Sequence, residues 1–490
     1  RPSIQTTATT ACCIGCLLML VKATASFAFT ATRTSSVVFM SRRFTVVPPA
    51  IDTNQQPRRT TSACMTMSST NSNGDDTTSP TKWSDIFTSP SNVGYNLNLL
   101  FPPLTSTSHK GSHGRIAILG GSTKYSGAPY YAAQSALLCG VDLATVFCAY
   151  EASVPIKCYS PELMVQSVYS EGELDGLLGE EQGLLEELQT CKKQNRNGGA
   201  SEESIHSIDE EEVMQTMEKL ELSTEKQQSQ LLLQKKNQMD SLVGRLETIK
   251  ELEEKLQLLK QRQQTTIQRT VDTITSSFPT LHALCVGPGM GRHPLLFTAI
   301  SQILQKAMES QLTLVLDADA LFMLSLEEYR DLYKELRGYE RCVMTPNLME
   351  WSRLCGSHDD EGETTTERND NIIVQKGYAD VITYKSITLE CKEEGGLKRS
   401  GGIGDVLAGT ISAFMAWDTV LTRDDASVDS AQQQRLFAVW VACCVVKKAT
   451  ELAYKEKRRA MSAIDVLNGI GGVVGDMENE LTTLYRNDQK

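Results

Sequence analysis

The chain has 490 residues and a formal net charge of −12 at pH 7, and 40% of its residues are hydrophobic. This length exceeds one ordinary domain, and the apolar content suffices for a large buried core. The acidic balance argues against nucleic acid as the main partner and permits a metal-chelated anionic substrate. The 14 cysteines show no metal or disulfide spacing. Those with apolar neighbours are therefore expected to be buried free thiols: Cys139, Cys148, Cys285, Cys443 and Cys444.

Residues 1–75 are predicted to be a targeting leader and not part of the fold. Residues 1–51 contain no Asp or Glu, and their apolar run Ala11–Val21 is too short to span a bilayer. The small residues before Phe27 are typical of a signal-peptide cleavage site, and the Arg-, Ser- and Thr-rich stretch behind it is typical of a transit peptide. This order resembles the bipartite leader of algae with complex plastids. We expect a plastid protein without a membrane segment in its mature form; the alternative is a mitochondrial one.

The first folded elements form a strand, a glycine turn, a helix and a second strand. The apolar runs 115–119 and 144–149 are predicted strands, and Gly120-Gly121 follows the first of them. This order indicates a βαβ unit, and hence a parallel sheet with a right-handed crossover. His109 and His113 precede the first strand in a polar loop and are expected to be solvated, since a metal site would need further ligands nearby.

Residues 170–272 are predicted to be a charged helical or coiled-coil insertion. The interval is rich in Gln, Glu, Lys and Leu, and its polar stretch Cys191–Ser207 is typical of disorder. Apolar residues near a heptad spacing are Leu242, Leu246, Ile249, Leu252, Leu256 and Leu259. We expect the insertion to protrude without touching the chemistry. It is either a solvated helix or a surface for a partner or for self-association.

After the insertion the alternation of strands and helices resumes. The strand 283–286 leads into a glycine loop containing Gly289, and the strand 313–316 ends at Asp317 and Asp319. In parallel sheets ligands bind at the carboxyl ends of the strands. For the two aspartates, helix capping and a role in ordering the site both remain open.

Two later segments combine a strand with a polar turn. Pro346 ends a strand, Asn347 is a good N-cap, and Glu350 three residues on is positioned for a capping box. Residues 372–382 are predicted to be a hairpin with its turn at Lys376-Gly377.

The glycine-rich stretch that leads into Asp405 is the strongest candidate site. Gly401, Gly402 and Gly404 precede an apolar helical pattern, and the unpaired amides and dipole of a helix N-terminus favour an anion there. Asp405 lies where a base could take a proton from a hydroxyl that attacks a phosphoryl group. Lys398 and Arg399 add positive charge beside it.

Several of these segments resemble known enzymes. The string Gly395–Thr410 is similar to the phosphate loop and catalytic aspartate of ribokinase-like kinases. His109–Ser122, Tyr125–Tyr130, Tyr159–Leu163 and Cys342–Arg353 resemble the eukaryotic ATP-dependent NAD(P)HX dehydratases, which repair hydrated NADH and NADPH. The resemblance covers about residues 95–168 and 281–470, in the same order along the chain.

The resemblance implies a set of site residues. Asp405 is the catalytic base and also touches the substrate. The other substrate-binding residues are Gly289, Asn347, Leu348, Met349, Glu350, Trp351, Ser352 and Arg353. The ATP-binding residues are Lys376, Gly377, Tyr378, Ala379, Asp380, Gly395, Gly396, Leu397, Lys398, Arg399, Ser400, Gly401, Gly402, Ile403 and Gly404. Glu350 would organise Mg²⁺ through water, an ion that takes few carboxylates and keeps several waters.

The predicted fold is an α/β, three-layer ribokinase-like domain with a mostly parallel sheet, built from residues 83–168 and 275–490. The expected reaction converts ATP and NADHX or NADPHX into ADP, phosphate and NADH or NADPH, with Mg²⁺ as cofactor. The alternatives are a small-molecule hydroxyl kinase of the same fold, an ADP-dependent dehydratase, and a non-catalytic scaffold. One departure from the family is the short polar segment between Gly356 and Asn371, where a helix is usual; it is a loop or a gene-model error.

Overall fold

A nine-stranded sheet organises the protein in a computed structural model. The structure describes residues 79–88, 97, 100–197, 225–356, 370–421 and 428–488. The predicted leader, much of the polar stretch Cys191–Ser207 and most of the segment between Gly356 and Asn371 lie outside these residues.

The sheet is parallel except at one edge. Its strands are β1 Arg115–Leu119, β2 Leu143–Ala149, β3 Met164–Tyr169, β4 Ala283–Val286, β5 Thr313–Leu316, β6 Cys342–Met344, β7 Ile372–Gln375, β8 Asp380–Tyr384 and β9 Ile387–Cys391. Their spatial order is β3-β2-β1-β4-β5-β6-β7-β8-β9. Neighbours from β3 to β7 pair in parallel, whereas β8 and β9 are antiparallel. The mostly parallel α/β sheet predicted from the sequence is confirmed.

The helices connect and cover these strands. They are α1 Asp85–Thr88, α2 Gly127–Cys139, α3 Tyr150–Tyr159, α4 Glu171–Asn197, α5 Glu225–Thr275, α6 Pro294–Glu309, α7 Asp319–Leu324, α8 Arg330–Arg337, α9 Leu348–Gly356, α10 Ile403–Leu421, α11 Val428–Lys457 and α12 Ala463–Asp488. Among the described residues no helix is long and apolar enough to cross a membrane.

The strand order produces three layers. Strands β1 to β3 run outward in one direction from the centre of the sheet, and β4 to β7 run in the other. Because parallel crossovers are right-handed, the connecting helices of the two halves cover opposite faces. Helix α10 packs on α2 and α11 and against β4 and β5. The strand order reverses between β1 and β4, which is the topological switch point where ligands bind in such sheets.

Helix α10 lies close to α2 because one glycine allows it. A Cβ atom on Gly409 would lie 1.9 Å from the carbonyl oxygen of Ala132 and 2.2 Å from the hydroxyl of Ser135. These distances are far shorter than any real contact, so only glycine fits at this crossing. The close approach buries the apolar face of α10, including Val406, and sets the position of its N-terminus against the sheet.

The chain divides into two units. Residues 75–187 and 252–490 form the unit that contains the sheet, and residues 1–74 and 188–251 form the other. The described part of the second unit is helical, comprising the end of α4 and the beginning of α5. The coiled-coil character and the protruding position predicted for residues 170–272 stay predictions.

The ends of the predicted insertion belong to the core of the sheet-containing unit. Leu174 of α4 and Ile267, Val271 and Ile274 of α5 are buried in the main hydrophobic cluster. The first residues of α4 and the last turns of α5 thus cover the sheet. Their Gln- and Glu-rich surroundings hide this apolar face in the sequence.

Several local predictions can be compared with the structure. The cysteines expected to be buried free thiols are all buried and unpaired. The prediction for His113 is wrong, because its side chain is buried. Its backbone N–H and imidazole face the carboxylate of Asp142, which precedes β2, and Nε1 of Trp417 in α10 donates a hydrogen bond to its carbonyl. Strands β3 and β9 were not predicted.

Candidate active site

The candidate site lies where the central parallel strands end. Gly287 follows β4, Asp317 follows β5 and Lys376 follows β7. A single parallel bridge between Asn347 and Lys376 continues the pairing of β6 and β7 beyond the strands. Residues that are far apart in sequence therefore meet at the carboxyl edge of the sheet, as the strand assignments predicted.

The buried carboxylate of Asp317 forms an ion pair with the half-buried Lys376 at this edge. The Nζ of Lys376 lies 2.6 Å from Oδ1 of Asp317, and the same oxygen accepts a hydrogen bond of 2.7 Å from the hydroxyl of Thr345. Burial disfavours the charged lysine, but the carboxylates of Asp317, Glu350 and Asp405 outweigh it and raise the pKa of Lys376. The lysine is therefore charged. The Asp317 pairing corresponds to the site-ordering alternative of the sequence analysis, not to helix capping.

Asp319 fixes a glycine loop. Its carboxylate accepts hydrogen bonds from the backbone N–H of Gly291 at 3.1 Å and from Nε of Arg292 at 2.9 Å. Gly289 in that loop has φ +58°, and a Cβ atom there would lie 2.8 Å from Cβ of Tyr125. The predicted substrate residue Gly289 therefore packs against the turn before α2 in a conformation that favours glycine.

Asp405 lies in the first turn of α10 and is half-buried. Burial raises the pKa of its carboxyl to about 7, and the negative charge of Asp317 adds to this while Lys376 opposes it. A general base works best when its pKa lies near the working pH. Asp405 is thus suited to accept a proton at neutral pH.

The glycines before Asp405 expose the N-terminus of α10. Gly402 has φ +96°, and a Cβ atom there would lie 2.8 Å from Cβ of Ala463 and 2.9 Å from the ring of Tyr131. A Cβ on Gly404 would lie 3.7 Å from Nζ of Lys376, whereas one on Gly401 would meet nothing within 4 Å. The amides of this turn, together with the dipole of a 19-residue helix and the lysine, form a positively polarised surface.

The predicted capping box at the start of α9 is present. The Oδ1 of Asn347 accepts hydrogen bonds from the N–H groups of Met349 and Glu350 at 2.9 and 3.0 Å, and Oε2 of Glu350 accepts one from Asn347 at 2.8 Å. Burial raises the pKa of Glu350, and the nearby Lys376 opposes this. The capping bonds do not exclude the role of Glu350 towards a ligand, since a carboxylate accepts several bonds.

The remaining predicted substrate residues form a mostly exposed turn of α9. Leu348 and Met349 are 68% and 65% exposed, which is unusual for apolar side chains and leaves them open to a ligand. Ser352 and Arg353 are also exposed, while Trp351 is half-buried against the core.

The two predicted ATP segments lie side by side. Residues 376–380 link β7 to β8, and Nη2 of Arg399 donates a hydrogen bond of 3.4 Å to the carbonyl of Gly377. Within the first segment, Oδ1 of Asp380 accepts a bond of 2.8 Å from the N–H of Gly377. Tyr378 and Leu397 are 85% and 78% exposed on the two segments.

The other predicted ATP residues differ in their surroundings. Ala379, Lys398, Ser400 and Ile403 are half-buried. Gly395 and Gly396 pack against α11: a Cβ on Gly396 would lie 2.6 Å from the carbonyl oxygen of Thr450.

Sequence reasoning missed three residues that support the site: two with hydroxyl groups, Thr345 and Tyr169, and one lysine, Lys447. Thr345 supports Asp317 through a hydroxyl that has no motif of its own, and the hydroxyl of Tyr169 donates to the carbonyls of Gly121 or Met290 in two separate glycine loops. Lys447 of α11 holds the 376–380 segment. The only sequence signal for Lys447 is a charged residue within the apolar run of a helix.

Metal-binding residues are sparse. In the part of the chain that the structure describes, no group of three or more His, Cys, Asp or Glu could hold a metal ion. An ion held here would therefore depend on ligands other than a protein cage.

Comparisons with known proteins agree with this geometry. Residues 116–187 and 233–470 match the family profile described as NAD(P)H-hydrate dehydratase. The chain is 27% identical to the ATP-dependent (S)-NAD(P)H-hydrate dehydratase of Entamoeba histolytica, over 79% of this chain and 96% of that protein. It is 26% identical to the protein of the same name in Schizosaccharomyces pombe, over 79% and 93%.

Solved structures are more distant in sequence. The ADP/ATP-dependent NAD(P)H-hydrate dehydratase of Bacillus subtilis, co-crystallized with ATP/Mg²⁺, is 15% identical, with a TM-score of 0.41 over 77% of this chain and 95% of that one. The match to the family profile covers more than half of the chain, including the segments that supply Asp317, Lys376 and Asp405. The chain belongs to the NAD(P)H-hydrate dehydratase family.

Proposed function

We propose that this protein uses ATP to dehydrate hydrated NADH and NADPH, releasing ADP, phosphate and the restored dinucleotide. The observation that supports it most is Asp405, a carboxyl with a pKa raised to about 7 at the N-terminus of a glycine-preceded helix. Family membership defines the dehydration, and the names of the curated relatives suggest ATP as the phosphoryl donor.

In the proposed mechanism Asp405 acts as the general base. It accepts the proton of the ring hydroxyl of the hydrate, and the oxygen forms a bond to the γ-phosphorus as the bond to ADP breaks. The substrate is then a phosphate ester. The lone pair of the ring nitrogen expels phosphate, and loss of a proton from the neighbouring ring carbon restores the double bond. ATP hydrolysis thereby drives a dehydration.

The glycine turn at the N-terminus of α10 would stabilise the charge of the transferring phosphoryl group. The amides of residues 401–404 point out of the start of α10, and Lys376 lies beside Gly404. Fixed donors of this kind stabilise developing negative charge without reorganising during the reaction. The positive charge of Lys376 also lowers the pKa of Asp405, and so opposes burial and the charge of Asp317.

We propose that Glu350 holds Mg²⁺ through water. Its carboxylate lies in the first turn of α9. The charges of Lys376 and Asp317 both act on it: Lys376 lowers the pKa of Glu350 and Asp317 raises it. Mg²⁺ needs only one or two carboxylates when phosphate oxygens and water complete its shell, so the residues present suit it. The bound ion would neutralise charge on the phosphates of ATP.

The test follows the absorbance of the dihydronicotinamide ring. Purified protein is mixed with hydrated NADH, Mg²⁺ and either ATP or ADP. A rise that requires ATP is the expected result, and a rise only with ADP would keep the reaction and change the donor. Asp405→Asn should lose several orders of magnitude in turnover while retaining the fold. A stable phosphorylated product without a rise would instead indicate a small-molecule kinase.

We also propose that residues 1–75 direct the protein to a plastid. Support comes from their acid-poor, Arg-rich composition alone. The leader fused to a fluorescent protein should accumulate in the plastid of an alga with complex plastids; accumulation in mitochondria would favour the alternative.

A further inference from the structure

One face of helix α11 lies under both segments of the proposed ATP site. Lys447, Thr450 and Tyr454 are spaced by three and four residues and therefore point to the same side of the helix. No motif marks them, and the sequence predicts no site residue on α11. Their contacts reach residues 377–380 on one side and residues 395–396 on the other.

Lys447 binds the backbone of the first segment. Its Nζ donates hydrogen bonds to the carbonyl oxygens of Gly377 at 3.0 Å and Tyr378 at 2.7 Å. It also lies 3.4 Å from Oδ2 of Asp380. These three acceptors match the three N–H donors of an ammonium group. Asp380 in turn accepts the N–H of Gly377, so the four-residue turn closes around the lysine.

Burial makes this arrangement costly to disturb. Lys447 and Asp380 are 8% and 5% exposed. Burial raises the pKa of Asp380, and Lys447 is the largest influence that opposes it. Removing one member of a buried ion pair leaves the other charge uncompensated. The turn would then have to open towards water, and its carbonyls would lose their only buried cation among the described residues.

The second segment rests on the next turns of the same face. The N–H of Gly396 donates to the hydroxyl of Thr450 at 3.3 Å. A Cβ on Gly396 would lie 2.8 Å from Cβ of Tyr454, and one on Gly395 would lie 3.1 Å from the hydroxyl of Thr450. The glycines thus allow the segment to lie directly on the helix. Helix α11 therefore fixes the relative position of both segments.

We propose that Lys447 is a positioning residue for the nucleotide site. It touches no reacting atom. It holds the 377–380 turn in the shape that binds ATP, so that the nucleotide need not order this turn on binding. The inference rests on the proposed assignment of residues 376–380 and 395–404 to ATP. It goes beyond that assignment, because it places a determinant of ATP affinity on α11.

The test compares Lys447→Met with Lys448→Met. Position 448 is about 100° further around the same helix and provides a control of equal chemistry. We expect Lys447→Met to raise the Kd for ATP, measured by calorimetry, and the KM for ATP by about tenfold or more. The KM for the hydrate should stay within about twofold. Lys447→Arg, which keeps the charge and donors, should recover part of the affinity, and Lys448→Met should resemble the wild type.

A merely structural role predicts a different pattern. Global destabilisation would lower the active fraction, and hence the apparent kcat, while the KM for ATP would stay unchanged. Folded Lys447→Met with the wild-type Kd for ATP overturns the proposal. If that variant does not fold, Lys447→Met is introduced together with Asp380→Asn, so that no carboxylate is left without its cation. The Kd for ATP of this double variant is then compared with that of Asp380→Asn alone. Equal Kd values overturn the proposal, and a higher Kd in the double variant supports it.

Calorimetry also separates this inference from the proposed function. Wild-type protein that binds ATP without dehydrating the hydrate contradicts the proposed function alone, and the Kd values still decide the role of Lys447. Wild-type protein that does not bind ATP overturns both.

Discussion

Asp405 predicts the pH dependence of the reaction. If Asp405 is the base, as proposed, its raised pKa of about 7 means that the free enzyme loses this base as pH falls below neutrality. We expect kcat/KM for the hydrate to fall by about tenfold per pH unit below that pKa. Asp319→Asn should move the profile to lower pH, because the charge of Asp319 helps to raise the pKa of Asp405. A profile that is flat from mildly acidic to mildly alkaline pH would remove Asp405 from the role of base.

The same carboxyl should lower stability at alkaline pH. Its pKa is raised in the folded state above the unfolded value, so the folded protein binds the proton more tightly, and that stabilisation is lost as pH rises through about 7. Asp405→Asn should therefore raise the free energy of unfolding at pH above 7 by on the order of 2 kcal/mol, allowing for partial exposure. Urea unfolding across pH should show the gain shrinking as pH falls. A variant less stable than the wild type at alkaline pH would contradict this.

Lys376 should contribute to stability as well as to the site. Lys376→Met leaves Asp317 buried beside Thr345 without its cation, which costs about 3–5 kcal/mol. Thermal unfolding should show a clearly lower Tm. The double variant Lys376→Met/Asp317→Asn removes both charges and should recover much of that loss without recovering turnover. Equal Tm values for the single and double variants would show that the pair is not the cause.

Sequence reasoning at this scale succeeded where contacts are local. Asn347 and Glu350 are three residues apart, and their capping box follows from residue type and spacing. Lys376 and Asp317 are 59 residues apart, and Lys447 lies 69 residues from Tyr378. Such distant pairs are determined by the order of the strands and by the packing of the helices. A short stretch of sequence shows neither the strand order nor the helix packing.

At the scale of elements, the crossing of α10 and α2 positions the turn that contains Asp405. Gly409→Ala would put a methyl group against the carbonyl of Ala132, and the helices would have to separate. We expect a loss of about 2 kcal/mol or more, since overpacking a close contact costs on the order of 1–3 kcal/mol and the crossing cannot yield locally.

The control for this change is Gly472→Ala in α12. A Cβ at Gly472 meets nothing within 4 Å, and the residue is exposed. Alanine there should be neutral or stabilising by up to about 1 kcal/mol. Denaturant unfolding of both variants checks the prediction. Similar changes in the free energy of unfolding at the two positions would show that helix propensity, and not the close crossing, determines the effect of alanine at Gly409.

The sheet itself was largely predictable, with two informative exceptions. Strands β1, β4 and β5 are short and apolar apart from Arg115 and Thr313 at the first positions of β1 and β5, as expected for central parallel strands. Strand β3 is mostly exposed along its length and β9 lies at the edge of the sheet, so neither has a continuous apolar pattern. Their pairing depends on β2 and β8, which the sequence alone does not place beside them.

At the scale of the whole molecule, both ends of the predicted insertion contribute residues to the core of the sheet-containing unit. Its interval 170–272 was drawn by composition, because Gln, Glu and Lys dominate both α4 and α5. The structure places Leu174 and Ile267 in the core of the sheet-containing unit. The family profile likewise resumes at residue 233, inside that interval.

Contacts between the two helices define where a deletion can be made. Arg262 of α5 binds Glu180 of α4 at 2.9 Å, and Arg269, further along α5, binds Glu173, which is earlier in α4, also at 2.9 Å. The two helices are therefore antiparallel here. Residues 187 and 252 end the two parts of the sheet-containing unit, and a connection of about 2–8 residues suffices to join antiparallel helices.

Replacing residues 188–251 with a short Gly/Ser linker should therefore leave a folded enzyme. We expect ATP-dependent dehydration within about threefold of the full chain, because the linker adds little closure entropy and no site residue is removed. The matched deletion of residues 171–269 also removes Leu174 and Ile267, together with Glu171, whose carboxylate accepts the N–H of Thr123 next to the first glycine turn. That deletion should fail to fold. Circular dichroism melting and turnover decide the outcome: loss of folding in the shorter deletion would show that residues 188–251 support the catalytic unit, and a folded, active longer deletion would show that the ends of α4 and α5 are dispensable.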